Sequence, residues 1–237
     1  MAQAEVLRFC KTLMGLQSFG LMVVYLIIVS MSSLYFRISK PLSLRKTLVV
    51  YNYGCSLANL YTLVAFLIGI YQANSIFVLK SNDWLKHAFF LYWALKNFEL
   101  LDTAFMILRH RRRQLSFLHI YHHSSMVLLT DFGYHFSPWA GIAFLVSINS
   151  FVHVCLYFYY GYAAQFPNDP VPWKKHVTQL QIVQFLVGMV HAMFGYKYHQ
   201  YCIYGPFYAL TMIALFSNYY VRAFILTKEK GNKGKQE

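Results

Sequence analysis

Acidic residues are scarce in this chain: eight Asp and Glu stand against 21 Lys and Arg, and charged residues of both signs make up 12% of the 237 positions. Soluble domains carry about twice that share, roughly 25%, so a water-exposed globular surface is excluded for most of the sequence. Cysteine is sparse too. Cys10, Cys55, Cys155 and Cys202 lie far apart without paired spacing, which excludes a disulfide framework or a zinc knuckle and leaves packing as their role. Low-complexity tracts, long linkers and internal repeats are absent, which indicates a single domain.

Apolar sequence is what the chain has in abundance, at 58% of residues. The runs 16–36, 48–71, 85–108, 115–134, 138–162, 177–196 and 201–226 approach or exceed the roughly 20 residues that cross a bilayer. The expected fold is all-α: a polytopic membrane protein with seven transmembrane helices, one membrane domain over residues 1–237 and a tail over 227–237. Polar residues in the third, fourth and sixth runs and asparagines in the second lower their hydropathy, so a threshold alone should return five or six spans. No small-residue cleavage site follows the first run, which reads as an uncleaved helix. Short connections at 131–138 and 163–175, the latter holding Pro167, Pro170 and Pro172, make successive helices antiparallel neighbours.

Basic residues orient the chain, because Lys and Arg accumulate in cytosolic loops. With a lumenal N-terminus, the cytosolic side holds Arg37, Lys40, Arg45 and Lys46, then Arg109 and Arg111 to Arg113, then Lys174 and Lys175, and finally Arg222 with the tail lysines. The lumenal side holds only Arg8, Lys11, Lys80, Lys86 and Lys197. A net charge of +13 placed this way points to anionic headgroups rather than nucleic acid. Lys233 and Lys235 near the C-terminus resemble a dilysine endoplasmic reticulum retrieval signal, which operates only on a cytosolic tail.

Ionisable groups inside spans are costly and face the bundle interior or a water-filled cavity. Span three holds Lys96, Glu99, Asp102 and Thr103; span four opens with His119, His122 and His123; span five has Asn149, His153, Tyr157 and Tyr160; span six has Thr178, Gln179, Gln181 and Gln184. At 1.5 Å per residue, Glu99 and Asp102 lie roughly 9 to 14 Å below the cytosolic end, His122 about 10 Å, His153 about 13 Å, and Gln181 and Gln184 roughly 6 to 10 Å. Four helices thus place polar groups at one level. Facing agrees: His119, His122 and His123 stand at i, i+3, i+4, Asn149, His153 and Tyr157 at i, i+4, i+8, and Lys96, Glu99 and Thr103 at i, i+3, i+7. Interhelical hydrogen bonding alone would account for the glutamines, Asn149 and the tyrosines. It does not account for three histidines plus His153.

Two chemistries use such a cluster. Membrane desaturases and hydroxylases hold two irons with about eight clustered histidines. The ten here include one compact box, with His87, His135 and His199 toward the lumenal side, leaving only a mononuclear site of the box, His153 and Glu99 or Asp102 geometrically open. Metal-free acyl transfer needs a neutral imidazole as base or nucleophile and a carboxylate to orient it. Asp102 or Glu99 can orient a histidine, Lys96 can balance the carboxylates, and Asn149 or a glutamine can donate to an oxyanion. Arg113, Lys174, Arg222 and their basic neighbours lie above this layer, where the phosphates of an acyl-CoA would rest.

The segments KNFELLDT at 96–103, FLHIYHH at 117–123, NSFVHV at 149–154 followed by Tyr157, Tyr159 and Tyr160, and TQLQIVQF at 178–185 resemble, in order and spacing, the signature motifs of the very-long-chain fatty acid elongase family. The resemblance covers 48–226. It implies seven helices, six of them forming a barrel around an acyl tunnel closed toward the lumen, in the endoplasmic reticulum membrane. It also implies condensation of acyl-CoA with malonyl-CoA to 3-ketoacyl-CoA, CO2 and CoA without a metal or other cofactor. Within it, His122 would accept the acyl group, His153 would face it, His119 and His123 would support or relay protons, and Lys96, Glu99, Asp102 and Asn149 would complete the catalytic set. Tyr157, Tyr160, Gln181, Gln184, Arg113, Lys174 and Arg222 would bind substrate. The ketoacyl-CoA reductase, dehydratase and enoyl reductase of the elongation cycle are the implied partners beside membrane lipids, and a homodimer is compatible with it. Gln114 and Tyr121 look like the polyunsaturated-acyl branch, while Leu156 stands where the family commonly has Met.

Overall fold

The computed structural model describes residues 11–169, 171 and 173–226. The tail with Lys233 and Lys235, and Arg8, Cys10, Pro170 and Pro172, lie outside the described residues. Described secondary structure is entirely helical: α1 (Phe19–Ile38), α2 (Arg45–Ala73), α3 (Asp83–Phe98), α4 (Leu101–Leu108), α5 (Phe117–Phe136), α6 (Ala140–Gln165), α7 (Lys174–Tyr198) and α8 (Tyr204–Tyr220). A 3-10 turn at Arg112–Gln114 precedes α5, and a π-helical turn at Val221–Ile225 follows α8. Local chemistry sets the ends. The Asn82 side chain accepts the Leu85 amide at 2.9 Å to start α3, Ser116 accepts the His119 amide at 3.2 Å to start α5, and Asn74 takes the left-handed conformation that closes α2.

The surface is largely apolar while many polar and charged side chains are buried, unlike a soluble protein. Val50, Leu57, Tyr71 and Val190 are exposed, while Asn59, Lys96, Glu99 and Ser150 are buried. Such a surface is stable only against hydrocarbon, where helices satisfy their own backbone. The chain is a membrane protein. By length and apolar composition four helices qualify to cross a bilayer, α1, α2, α6 and α7, fewer than the five or six expected from hydropathy. The shortfall has local causes. The third run breaks into α3 and α4, α5 carries five ionisable histidine and aspartate side chains over its length, and α8 regular geometry stops at Tyr220.

α1 lies at the periphery, with only Tyr25 and Ser32 buried among its residues. The others are neighbours in the order α2, α3, α5, α8, α7, α6 and back to α2. α2 and α6 run antiparallel: Arg45 donates to the carbonyls of Ala164 and Gln165 at 3.0 and 2.6 Å, and Ser56 donates to Val154 O at 3.0 Å. Leu42 N bonds to Leu108 O at 2.9 Å, and Arg112 lies over Phe36 and Lys174 over Phe224. One end of the bundle therefore collects the basic segments. The other half is an apolar core of Phe66, Leu85, Ala88, Phe89, Tyr92, Ala140 and Ala143.

At that far end Tyr201 is wedged between α6 and α7. Its hydroxyl donates to Phe77 O at 3.0 Å, and a Cβ on Gly141 or Gly195 would fall 1.9 Å from its Oη or 2.0 Å from its Cδ2. Only glycine admits the ring from both sides. Gly195→Val should therefore destabilise the bundle by about 1 to 3 kcal/mol, the range for overpacking, read as a lower midpoint in thermal unfolding of detergent-solubilised protein.

Candidate active site

The site begins at the break in the third apolar run, expected as one helix over 85–108. Asp102 N bonds to Glu99 O and Thr103 N to Leu100 O, both at 3.1 Å, the i to i−3 spacing of a 3-10 turn. Three residues per turn instead of 3.6 swings α4 relative to α3, so neighbouring polar side chains reach different helices. Lys96 and Glu99 turn toward α6 and α2, Asp102 toward α6, and Thr103 toward α5.

Lys96 Nζ donates to Glu99 Oε2 at 2.8 Å and lies 3.0 Å from His153 Nδ1 and 3.5 Å from its Nε2. His153 Nδ1 is also 3.3 Å from Glu99 Oε2. All three are buried, Glu99 to 1% exposure, so the ammonium and the carboxylate compensate one another where water cannot. Across from His153 stands His122, with ring centroids 6.5 Å apart. His122 Nδ1 is buried without a hydrogen-bond partner, so no protein group occupies that nitrogen. The remaining histidines continue the array: His123 is 5.6 Å from His122 and 4.2 Å from His119 by ring centroid, and His119 Nε2 bonds to Thr103 Oγ1 at 2.7 Å. Tyr25 of α1 meets the same Thr103 hydroxyl at 3.2 Å.

Asn149 accepts from Tyr92 OH at 2.7 Å and donates to Gln184 Oε1 at 3.3 Å, linking α3, α6 and α7. Asp102 accepts from Tyr157 OH at 2.7 Å. The carboxylate beside a histidine is thus Glu99, and Asp102 is held by a tyrosine. Gln181 is partly buried one turn before Gln184, and Tyr160 is exposed with its ring against Tyr157. Arg113, Lys174 and Arg222 are exposed at the basic end, Arg222 donating to Asn218 Oδ1 at 3.0 Å. They stand outside the polar layer rather than in it.

Tyr25, Tyr92, Asn59 and Asp131 join the network without being marked out by any motif in the sequence. Asn59 of α2, fully buried, donates to Glu99 Oε1 at 3.1 Å, and an asparagine in an apolar helix was the only signal. Asp131, where the apolar run 115–134 and the connection 131–138 overlap, lies inside α5 and is fully buried. Its carboxylate accepts the Ser18 amide at 2.5 Å and lies 2.7 Å from His135 Nδ1, fastening the start of α1 to α5. The i, i+4 spacing of Asp131 and His135 carried that signal. Among the described residues no three His, Cys, Asp or Glu side chains converge in a metal-ligand arrangement.

A helical bundle with a lipid-matched surface that encloses imidazoles, a carboxylate and an ammonium group defines an integral-membrane enzyme. Residues 15–232 match the model of the ELO, GNS1/SUR4 family. The chain is 33% identical over 233 residues to very long chain fatty acid elongase 5 of Tachysurus fulvidraco, covering 91% of this chain and 76% of the relative. It is 32% identical over 217 residues to human very long chain fatty acid elongase 4, covering 84% and 68% of the two chains, and 32% identical over 220 residues to human elongase 5, covering 85% and 72%. The chain belongs to the GNS1/SUR4 family. It is a fatty acid elongase, a condensing enzyme of lipid biosynthesis.

Proposed function

We propose that this chain condenses a long-chain acyl-CoA with malonyl-CoA through histidine chemistry, with His122 as acyl acceptor. The observation that carries the reading is the pair His122 and His153 facing one another 6.5 Å apart beside the Lys96–Glu99 ion pair. In the first step a His122 ring nitrogen attacks the thioester carbonyl, the C–S bond breaks, and CoA leaves as thiolate and takes up a proton. In the second step malonyl-CoA loses CO2, its enolate carbon attacks the acyl carbon, and the C–N bond to His122 breaks to release 3-ketoacyl-CoA as the departing imidazole takes up the one proton, drawn from solvent, that the reaction consumes. Lys96, sharing its ammonium between Glu99 and His153, supplies positive charge near both developing oxyanions. His119 and His123 relay protons toward Thr103, and Asn149, held by Tyr92 and Gln184, presents an amide at the same level.

The cyclic order of α2, α3, α5, α8, α7 and α6, with α1 outside, supports a seven-span protein whose six inner helices form a barrel around the acyl chain. The basic end fits the cytosolic face, with Arg113, Lys174 and Arg222 toward the CoA phosphates, and the N-terminus lumenal in the endoplasmic reticulum membrane. The reductases and dehydratase of the elongation cycle would take up the product, and a homodimer agrees with the exposed apolar faces. Very long chain substrates agree with the names of the relatives, and Gln114 with Tyr121 favours polyunsaturated acyl groups.

Membranes containing this chain should incorporate labelled malonyl-CoA into lipid in the presence of acyl-CoA, at a rate that a metal chelator leaves unchanged. Oxygen-dependent, chelator-sensitive modification of lipid without malonyl-CoA would instead favour an iron-dependent oxidase.

A further inference from the structure

Glu99 is held from a helix that carries none of the histidines. Asn59 Nδ2 donates to Cys55 O at 2.9 Å, one turn back on α2, and to Glu99 Oε1 at 3.1 Å. Both partners are acceptors, so the amide has only one satisfying orientation. That orientation leaves Asn59 Oδ1 buried without a partner, a cost that Leu or Ala at this position would not incur. Asparagine is also a poor residue for a helix interior, where it competes for backbone hydrogen bonds. Two turns earlier on the same face, Asn52 satisfies itself by donating to Leu48 O at 2.6 Å. Asn59 makes the same bond within the helix and spends its second N–H on the carboxylate.

We propose that Asn59 is a positioning residue for condensation: by occupying Glu99 Oε1 it fixes the carboxylate so that Oε2 holds Lys96 and His153 together. The inference rests on the histidine reading above. A carboxylate turns about its terminal torsion, which is broad and roughly two-fold. With Oε1 unoccupied, that rotation offers both oxygens to Lys96 and takes Oε2 away from its 3.3 Å approach to His153 Nδ1. The donor is neutral, so it orients the carboxylate without competing with Lys96 for the role of counter-charge. Asn59 touches neither substrate in this scheme and acts only through Glu99.

The test compares purified full-length wild type, Asn59→Leu, the near-isosteric Asn59→Asp, and Asn52→Leu as a control that removes a buried asparagine outside the network. Condensation of acyl-CoA with malonyl-CoA is measured as separate kcat and KM values, normalised to folded protein. The expected result is a loss in kcat of about 10- to 100-fold for both Asn59 variants, the scale of a hydrogen bond to a charged group. KM for each substrate should stay within about twofold, and Asn52→Leu should keep kcat within about twofold, because neither residue binds substrate. The proposal is overturned if either folded Asn59 variant retains wild-type kcat, or if the loss appears in KM instead. It is overturned equally if both Asn59 variants fail to fold while Asn52→Leu folds, since Asn59 is then a folding residue. A wild-type chain without malonyl-dependent condensation would defeat the histidine reading itself, a distinct outcome.

Discussion

His122→Ala should lose condensation by roughly 10³- to 10⁶-fold, the scale of removing a covalent nucleophile, while the protein remains folded. The second half of that expectation follows from what the ring touches. His122 Nδ1 has no hydrogen-bond partner, so truncation strands no buried donor or acceptor elsewhere. The ring lies against His123, His153 and Phe216 at centroid distances of 5.6, 6.5 and 6.4 Å, contacts that hold shape more than stability. A thermal midpoint within a few degrees of wild type, beside near-complete loss of malonyl incorporation, is the predicted combination. An unfolded variant would mean that His122 is a packing residue.

Lys96→Met should have the opposite profile, losing stability as well as activity. The substitution keeps chain length and volume but leaves the Glu99 carboxylate, 1% exposed, with only the Asn59 amide and His153 nearby. Breaking one side of a buried ion pair costs about 3 to 5 kcal/mol because the other charge is left uncompensated. For a chain of this size that corresponds to a fall in thermal midpoint on the order of 10 °C. Removing both charges in Lys96→Met/Glu99→Gln should restore most of the stability, since a buried pair and a well-packed neutral pair are often nearly equivalent. Activity should not return. The double variant therefore separates the role of the charges in folding from their role at His153.

The parts of this architecture that were legible in the sequence are those set by local pattern. The helices begin and end within a few residues of the apolar runs, and the spacing of His119, His122 and His123 identified one face of α5. Depth arithmetic placed His122 and His153 at one level, and the two rings do stand across from each other. The break after Phe98 was not legible, because LLDT continues a good helical pattern and nothing in it is a glycine or proline. It was the 3-10 tightening that parted Asp102 from Glu99 and gave the first to Tyr157 and the second to His153. Asn59 was hidden for a different reason: its partner Glu99 is distant in sequence, and its polar neighbours on the same face, Asn52 and Ser56, bond to backbone carbonyls and carry no ionisable group. Asp131 falls both in the apolar run 115–134 and in the connection 131–138, and its burial against Ser18 settles it in α5, which runs on to Phe136.

The acyl-enzyme is the most direct test of the chemistry. Purified protein incubated with labelled acyl-CoA alone, without malonyl-CoA, should release one equivalent of CoA and retain the label on the peptide containing His122, and adding malonyl-CoA should discharge the label into 3-ketoacyl-CoA. Retention of no label, together with continued turnover by His122→Ala, would contradict the account.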